Sequence, residues 1–172
     1  MSEPLTTAGE GFHPHLHDAP AERTTAPLHT RRHHIRADAL DGDTAQTGGM
    51  RRFAAISGTT GSKKLWMGQT HVAPATSSSD HHHGASETAI HVVSGHPEFV
   101  FLHDSGDEPQ EVRLRASPGD YIFVPPFVPH REGNPDPSEA AVVVIARSTQ
   151  EAIVVNLPRL CALPADGGGH EG

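Results

Sequence analysis

Three consecutive histidines, His81-His82-His83, are followed four residues on by Glu87, and a further histidine, His130, stands far downstream among prolines. Imidazole nitrogen and carboxylate oxygen are donors that suit zinc, iron, manganese, nickel or copper, so the set reads as a divalent-metal site assembled from two separated segments. In an extended chain alternate side chains share a face, which puts His81 and His83 on one side and leaves His82 looking away. One short segment cannot surround an ion, so His130 must be delivered by a second strand. Pro125, Pro126 and Pro129 stiffen that approach. Lacking a ladder donor, they mark an edge or a kinked rim where a barrel would open to ligand.

Trp66, Phe99, Tyr121, Phe123 and Phe127, with His91, are the candidates to line a substrate pocket beside the ion. Against that stands the ordinary fate of aromatics in a small barrel, which is to fill it. Single strand histidines such as His71 and His91 also fit half-buried hydrogen-bonding roles, and His96 and His103 fall at turns. The chain has no Gly-x-Ser-x-Gly elbow, Gly-x-Gly-x-x-Gly turn, phosphate-binding loop or Cys-x-x-Cys pair. The common nucleophilic, dinucleotide, nucleotide and dithiol chemistries therefore lack their residues.

The 172 residues include 13 basic and 21 acidic side chains, a formal charge of −8 at pH 7. That length supports one domain with a core, and that charge argues against nucleic acid or an anionic membrane as partner. The one cysteine, Cys161, can form no internal disulfide and calls for no oxidising compartment. The N-terminal residues lack a basic start followed by an apolar stretch, and nowhere do eighteen apolar residues run together. A soluble cytoplasmic protein acting on a small molecule is the expectation.

The elements that must position the histidines are short. Fifteen prolines and seventeen glycines punctuate β-branched runs. Strands are expected over residues 51–57, 64–73, 87–93, 98–102, 111–114, 121–124, 140–146 and 151–155, with loops at 74–80 and 133–138. With the segment leading to His130, nine or ten closely spaced strands favour an all-β closed barrel, an antiparallel jelly roll (double-stranded β-helix). Its expected span is residues 50–158, followed by a flexible tail over 159–172. Residues 1–49 are rich in Thr, Ala, Pro, His and charge without an apolar period. They are expected to form a disordered N-terminal arm, with one turn at most over 37–42, whose scattered histidines are not a built site.

The two histidine-bearing segments resemble the two sequence motifs of the cupin superfamily. Gly119, five residues, Pro125, one residue, Phe127, two residues, His130, three residues, Asn134 is similar to the second motif, with Phe127 where the family has glycine. His81-x-His83, three residues and Glu87 is similar to the first, but seven residues separate Glu87 from Gly95 where the family has six. If the histidines set the register, Glu87 faces the interior and a bulge absorbs the extra residue; if Gly95 sets it, Thr88 takes the inward slot. Counting by twos from Thr88 collects Ile90 and Val92, the more apolar set. The negative charge a carboxylate brings to a dication favours Glu87 instead.

The likeness covers about residues 66–155. It implies a cupin-like jelly roll holding one divalent ion per chain through His81, His83, Glu87 and His130, with one or two positions open to water, dioxygen or substrate. Three histidines with one glutamate resemble the dioxygenase members, which favours Fe2+ and an oxygenase. Zn2+, Mn2+, Ni2+ or Cu2+ would also fit the donors, and zinc, manganese or nickel would suit an isomerase, lyase or decarboxylase that polarises a carbonyl. A non-catalytic small-molecule binder is a further alternative, and the clustered histidines speak against a metal-free epimerase-type barrel. Such barrels commonly pair through sheet edges, and the apolar run 140–146 offers surface for it, so a homodimer is expected.

Overall fold

Residues at every second position of the segments beginning at Trp66, Thr88 and Ala141 are sealed from solvent while their neighbours are not, the signature of a sheet with one buried face. The computed structural model describes residues 33–44, 49–103, 109–149 and 153–163. Among the described residues there are eleven strands. They are β1 Met50–Ile56, β2 Trp66–Val72, β3 Thr76–Ser77, β4 His81–His82, β5 Thr88–Ser94 and β6 Glu98–His103, followed by β7 Gln110–Arg115, β8 Tyr121–Val124, β9 His130–Asn134, β10 Ala141–Arg147 and β11 Val155–Asn156.

They form two antiparallel sheets, a jelly-roll barrel. One runs β1-β2-β10-β5-β8; the other runs β11-β4-β9-β6-β7, with β3 also on β9. Ile90, Val92, Val143, Ile145, Ile122, Val124 and Trp66 from the first sheet pack with Phe99 from the second. The core therefore lies between the sheets. The apolar run expected to be a buried strand is β10, seated between β2 and β5 in the middle of its sheet. Gly68 lets β1 and Trp66 close over β2, since a Cβ there would collide with the Phe53 carbonyl and the Trp66 indole.

Some expectations needed correction. The stretch 74–80, read as a loop, contributes β3, because Thr76 and Ser77 pair with Asn134 and Gly133. That same pairing carries β9 two residues into the stretch 133–138, also read as a loop. Residues 33–44, assigned by composition to the arm, hold a 3-10 turn at Ala37–Ala39 and a bridge in which Asp41 and Ala54 exchange both backbone hydrogen bonds at 2.8 and 2.7 Å. The backbone of β1 recruits this segment, an edge addition that side-chain composition cannot report. The expectations for residues 1–32, 45–48, 104–108, 150–152 and 164–172 lie outside the described residues. No helix among the described residues is long and apolar enough to cross a membrane.

Candidate metal centre

β4 and β9 lie side by side with His81 opposite His130, and His83 follows one residue after β4. All three imidazoles are buried, and one ligand atom from each lies within 4.8 Å of the others. Two ligands of one ion stand about 3–4 Å apart, so only a small contraction separates this triad from coordinating geometry. The ring centroids are 4.4 Å apart for His81 and His130, 4.7 Å for His83 and His130, and 5.1 Å for His81 and His83.

Hydrogen bonds decide which nitrogen of each ring faces the centre. His81 Nδ1 donates to the Ser79 carbonyl at 2.8 Å, and His130 Nδ1 donates to the Val128 carbonyl at 2.9 Å. With Nδ1 carrying the proton, Nε2 is left as a lone pair. In both residues that Nε2 is buried without a hydrogen-bond partner. Two desolvated acceptors with nothing to accept are costly unless a cation claims them. His83 is oriented the same way, since its Nδ1 meets Thr88 Oγ1 at 2.9 Å and its Nε2 accepts from Arg147 Nη2 at 3.1 Å. The donor chemistry, the tautomers and the orphaned atoms fit a divalent ion.

The protonation states agree. Burial first, and then Arg147 and the neighbouring imidazoles, hold His83 far below the usual imidazole range. Burial and His81 lower His130 to about 4. Both are neutral bases at physiological pH, the form that ligates metal.

Glu87 is not with them. It is exposed, one residue before β5, and its backbone is tied to Ser148 by hydrogen bonds of 3.0 and 3.1 Å. Thr88 points inward and braces His83. The register is set from the Gly95 end. Ile90 and Val92 must be buried with Thr88 on one face of β5. Gly95, at φ +73°, ends the strand where a Cβ would strike Ala140 and Ala141. Hydrophobic burial along seven residues outweighs the placement of one carboxylate.

The expected pocket lining divides in two. Trp66 and Phe99 are inside. Tyr121 and Phe123 are 79% and 60% exposed on β8, and His91 stacks on Tyr121 with centroids 4.5 Å apart, so these three occupy the outer face of the sheet. The inward positions of β8 belong to Ile122 and Val124. Phe127 is also exposed, with its ring 5.9 Å from that of the buried His82. It adopts φ +59°, the left-handed conformation that a glycine takes without strain. Its backbone N–H donates to the Gly84 carbonyl at 2.8 Å, which clips the turn before His130 to the histidine run. Outside the barrel, Arg131 bonds Asp80 at 2.8 Å and Glu111 at 3.1 Å, bracing the same two strands beside His130 and His81. Asn134 supports the far end of β9 by donating to the carbonyls of Val72, Ala73 and Glu139.

Three interior residues had not been singled out as site residues: Glu132, Arg52 and Arg147. Each is at most 5% exposed. Glu132 lies two residues beyond His130 on the same face of β9, a signal present in the spacing. Burial pushes its carboxyl up, but His81, His130, Arg52 and Arg147 outweigh that, and its pKa lies below the usual value. Arg52 Nη2 is 3.6 Å from Glu132 Oε1. Arg147 is the last residue of β10 and shares its inward face with Val143 and Ile145.

Comparison with known proteins agrees with this architecture. Residues 68–146 match the family model described as a cupin domain. This segment is a cupin domain. Among solved structures the cupin resembles oxalate decarboxylase from Bacillus subtilis, with a TM-score of 0.56 at 18% identity over 67% of this chain and 29% of that one. It also resembles the polyketide cyclase RemF from Streptomyces resistomycificus, with a TM-score of 0.53 at 20% identity over 74% of this chain and 85% of that one. The cupin chain thus spans less than a third of the decarboxylase, and at these identities the likeness is one of fold. No curated protein matches it.

Proposed function

We propose that this cupin is a metal-dependent enzyme of the lyase, isomerase or decarboxylase type, acting on a small molecule whose oxygen binds the ion. The observation that carries the proposal is the set of three buried imidazoles whose Nδ1 atoms are hydrogen-bonded and which each bring a ligand atom within 4.8 Å of the others. His81, His83 and His130 would hold one divalent ion per chain, Fe2+, Mn2+, Zn2+, Ni2+ or Cu2+. Three protein ligands leave positions for substrate, which favours catalysis over a purely binding role. The chemistry such an ion would supply when bound is Lewis acidity toward a carbonyl oxygen.

The chain's own residues supply the rest. Ser79, Val128 and Thr88 fix the rings. Glu132 is the one buried carboxylate among the described residues, and it offsets positive charge beside His81 and His130. Trp66, Phe99 and Phe101 keep the interior apolar around these groups; Phe101 lies against His130 with centroids 5.8 Å apart. The dioxygenase reading rested on three histidines with Glu87, and that carboxylate faces solvent. The names of the two similar structures, a decarboxylase and a cyclase, also point away from oxygen chemistry.

The test is to load the full chain separately with manganese, iron, zinc and nickel and offer pyruvate and acetylacetone in D2O. Metal-dependent deuterium exchange beside the carbonyl without oxygen uptake is expected. Oxygen consumption that tracks substrate loss would move the protein to the oxygenases. The exposed apolar outer face of the five-stranded sheet also fits the expected homodimer, which sedimentation checks.

A further inference from the structure

Arg147 is a cation where cations are rarely left. It is 1% exposed, and among the described residues no carboxylate lies within ion-pair distance of it. Glu132, the one buried carboxylate described, is paired with Arg52. A guanidinium keeps its charge at neutral pH even when buried. Its guanidinium is held in place. Nη1 donates to the Ile153 carbonyl at 3.0 Å, the Trp66 ring lies 5.8 Å from its central carbon, and Nη2 meets His83 Nε2 at 3.1 Å. The remaining nitrogen, Nε, is buried without a hydrogen-bond partner.

A buried charge needs a partner, and removing a guanidinium from water is costly without one. Among the described residues two buried guanidiniums, Arg52 and Arg147, share one buried carboxylate, Glu132, and a divalent ion on the three imidazoles would add two further positive charges, so the ligand this interior suits is an anion. Because Nη2 meets Nε2 of one of the three imidazoles, a hydrogen bond that a bound ion would displace, an anion on Arg147 would border the metal centre. A planar fork of N–H donors matches the two oxygens of a carboxylate, and the Trp66 ring beside the guanidinium makes one side of it apolar.

We infer that Arg147 binds the carboxylate of a small organic-acid substrate and holds it against the tri-histidine centre. This rests on the metal-dependent reading above and narrows it to organic acids. A substrate without an anionic group would leave Arg147 unmatched.

The test uses the full chain loaded with Mn2+, with metal content measured first and binding followed by calorimetry and by the Mn2+ electron paramagnetic resonance spectrum. The probes are malonate, its neutral counterpart malonamide, and inorganic phosphate. Malonate is expected to bind at least about tenfold more tightly than malonamide and to perturb the spectrum, with phosphate weaker than malonate. Arg147→Gln should keep its manganese and lose that tenfold preference. Arg147→Lys, read if the glutamine variant does not fold, should keep the charge but lose at least about threefold, because the fork is gone. Equal binding of acid and amide by manganese-loaded protein, a preference for phosphate, or undiminished malonate affinity in the arginine variants overturns the inference and leaves the metal centre standing. Failure of the unaltered protein to hold manganese, iron, zinc or nickel overturns both.

Discussion

The two faces of the five-stranded sheet each carry residues whose polarity their surroundings would not select. Its inner face carries Arg52, Thr70, Thr88 and Arg147 among the core residues, all of them 1% exposed or less. Its outer face carries a row running Met67, Ala146, Ala89 and Phe123 across four strands, with Val144, His91 and Tyr121 in the next row. Polar groups inside and apolar groups outside both run against solvation, so each needs its own cause. Inside, two of these polar groups, Thr88 and Arg147, each contact His83 of the histidine triad. Outside, an apolar surface of this extent is what a second subunit would cover. The same strands thus carry the histidine-facing groups on one side and the apolar row on the other, because alternate residues face opposite ways.

The largest way to break that contrast is to remove a ligand. His130→Ala or His81→Ala should weaken metal binding by on the order of a hundredfold or more, measured by competition with a chelating dye, while far-ultraviolet circular dichroism stays unchanged. Metal retained in both variants would place the ion elsewhere.

Next is a matched pair on one strand. Ile90→Ala on the inner face should cost about 2–4 kcal/mol in urea unfolding, while Val93→Ala on the outer face should fall within about 0.5 kcal/mol. Equal costs would mean that the two faces are not distinguished by burial.

A second matched pair separates the two candidates for the inward slot. Thr88→Val removes the group that orients His83 and should cost about tenfold to a hundredfold in metal affinity, whereas Glu87→Gln should cost nothing measurable. The reverse order would restore Glu87 as a ligand.

Acid gives a smaller and more diffuse effect. His130 and His83 have folded-state pKa values below the ordinary 6.5, that of His130 being about 4. Between those limits the unfolded chain takes up protons that the folded chain refuses, so stability falls as pH falls from about 6.5 toward 4. The metal-free protein should show a declining Tm across that window, and His130→Gln should flatten the decline. A Tm that rises on acidification would contradict the buried neutral imidazoles.

The smallest change should come from Phe123→Ser. It should leave urea stability within about 0.5 kcal/mol but shift sedimentation toward a monomer if the outer face is the dimer contact.

The fold was legible because short β-branched runs such as 87–93 and the continuous apolar run 140–146 have strand composition, and because turns announce themselves through Pro118, Gly119 and their like. The three histidines were legible for a related reason: imidazoles at 81 and 83 must share a side of an extended chain, and few other uses exist for a third in so proline-bound a segment. The placement of the fourth inward position was not. Glu87 and Thr88 differ by one step of the chain, and one step reverses the face. The choice fell to the summed burial of β5 and the close passage of Gly95 past β10, both of which are contacts between segments far apart in sequence. Arg147 is of the same kind. As the end of an apolar run it looks like a strand terminus meeting water, and only the closing of the second sheet over it makes it a buried charge beside His83. Sequence alone determined which side chains alternate and which donors are available. Tertiary structure decided which of them are deprived of water, and that deprivation is what gives an imidazole nitrogen or a guanidinium a chemical task.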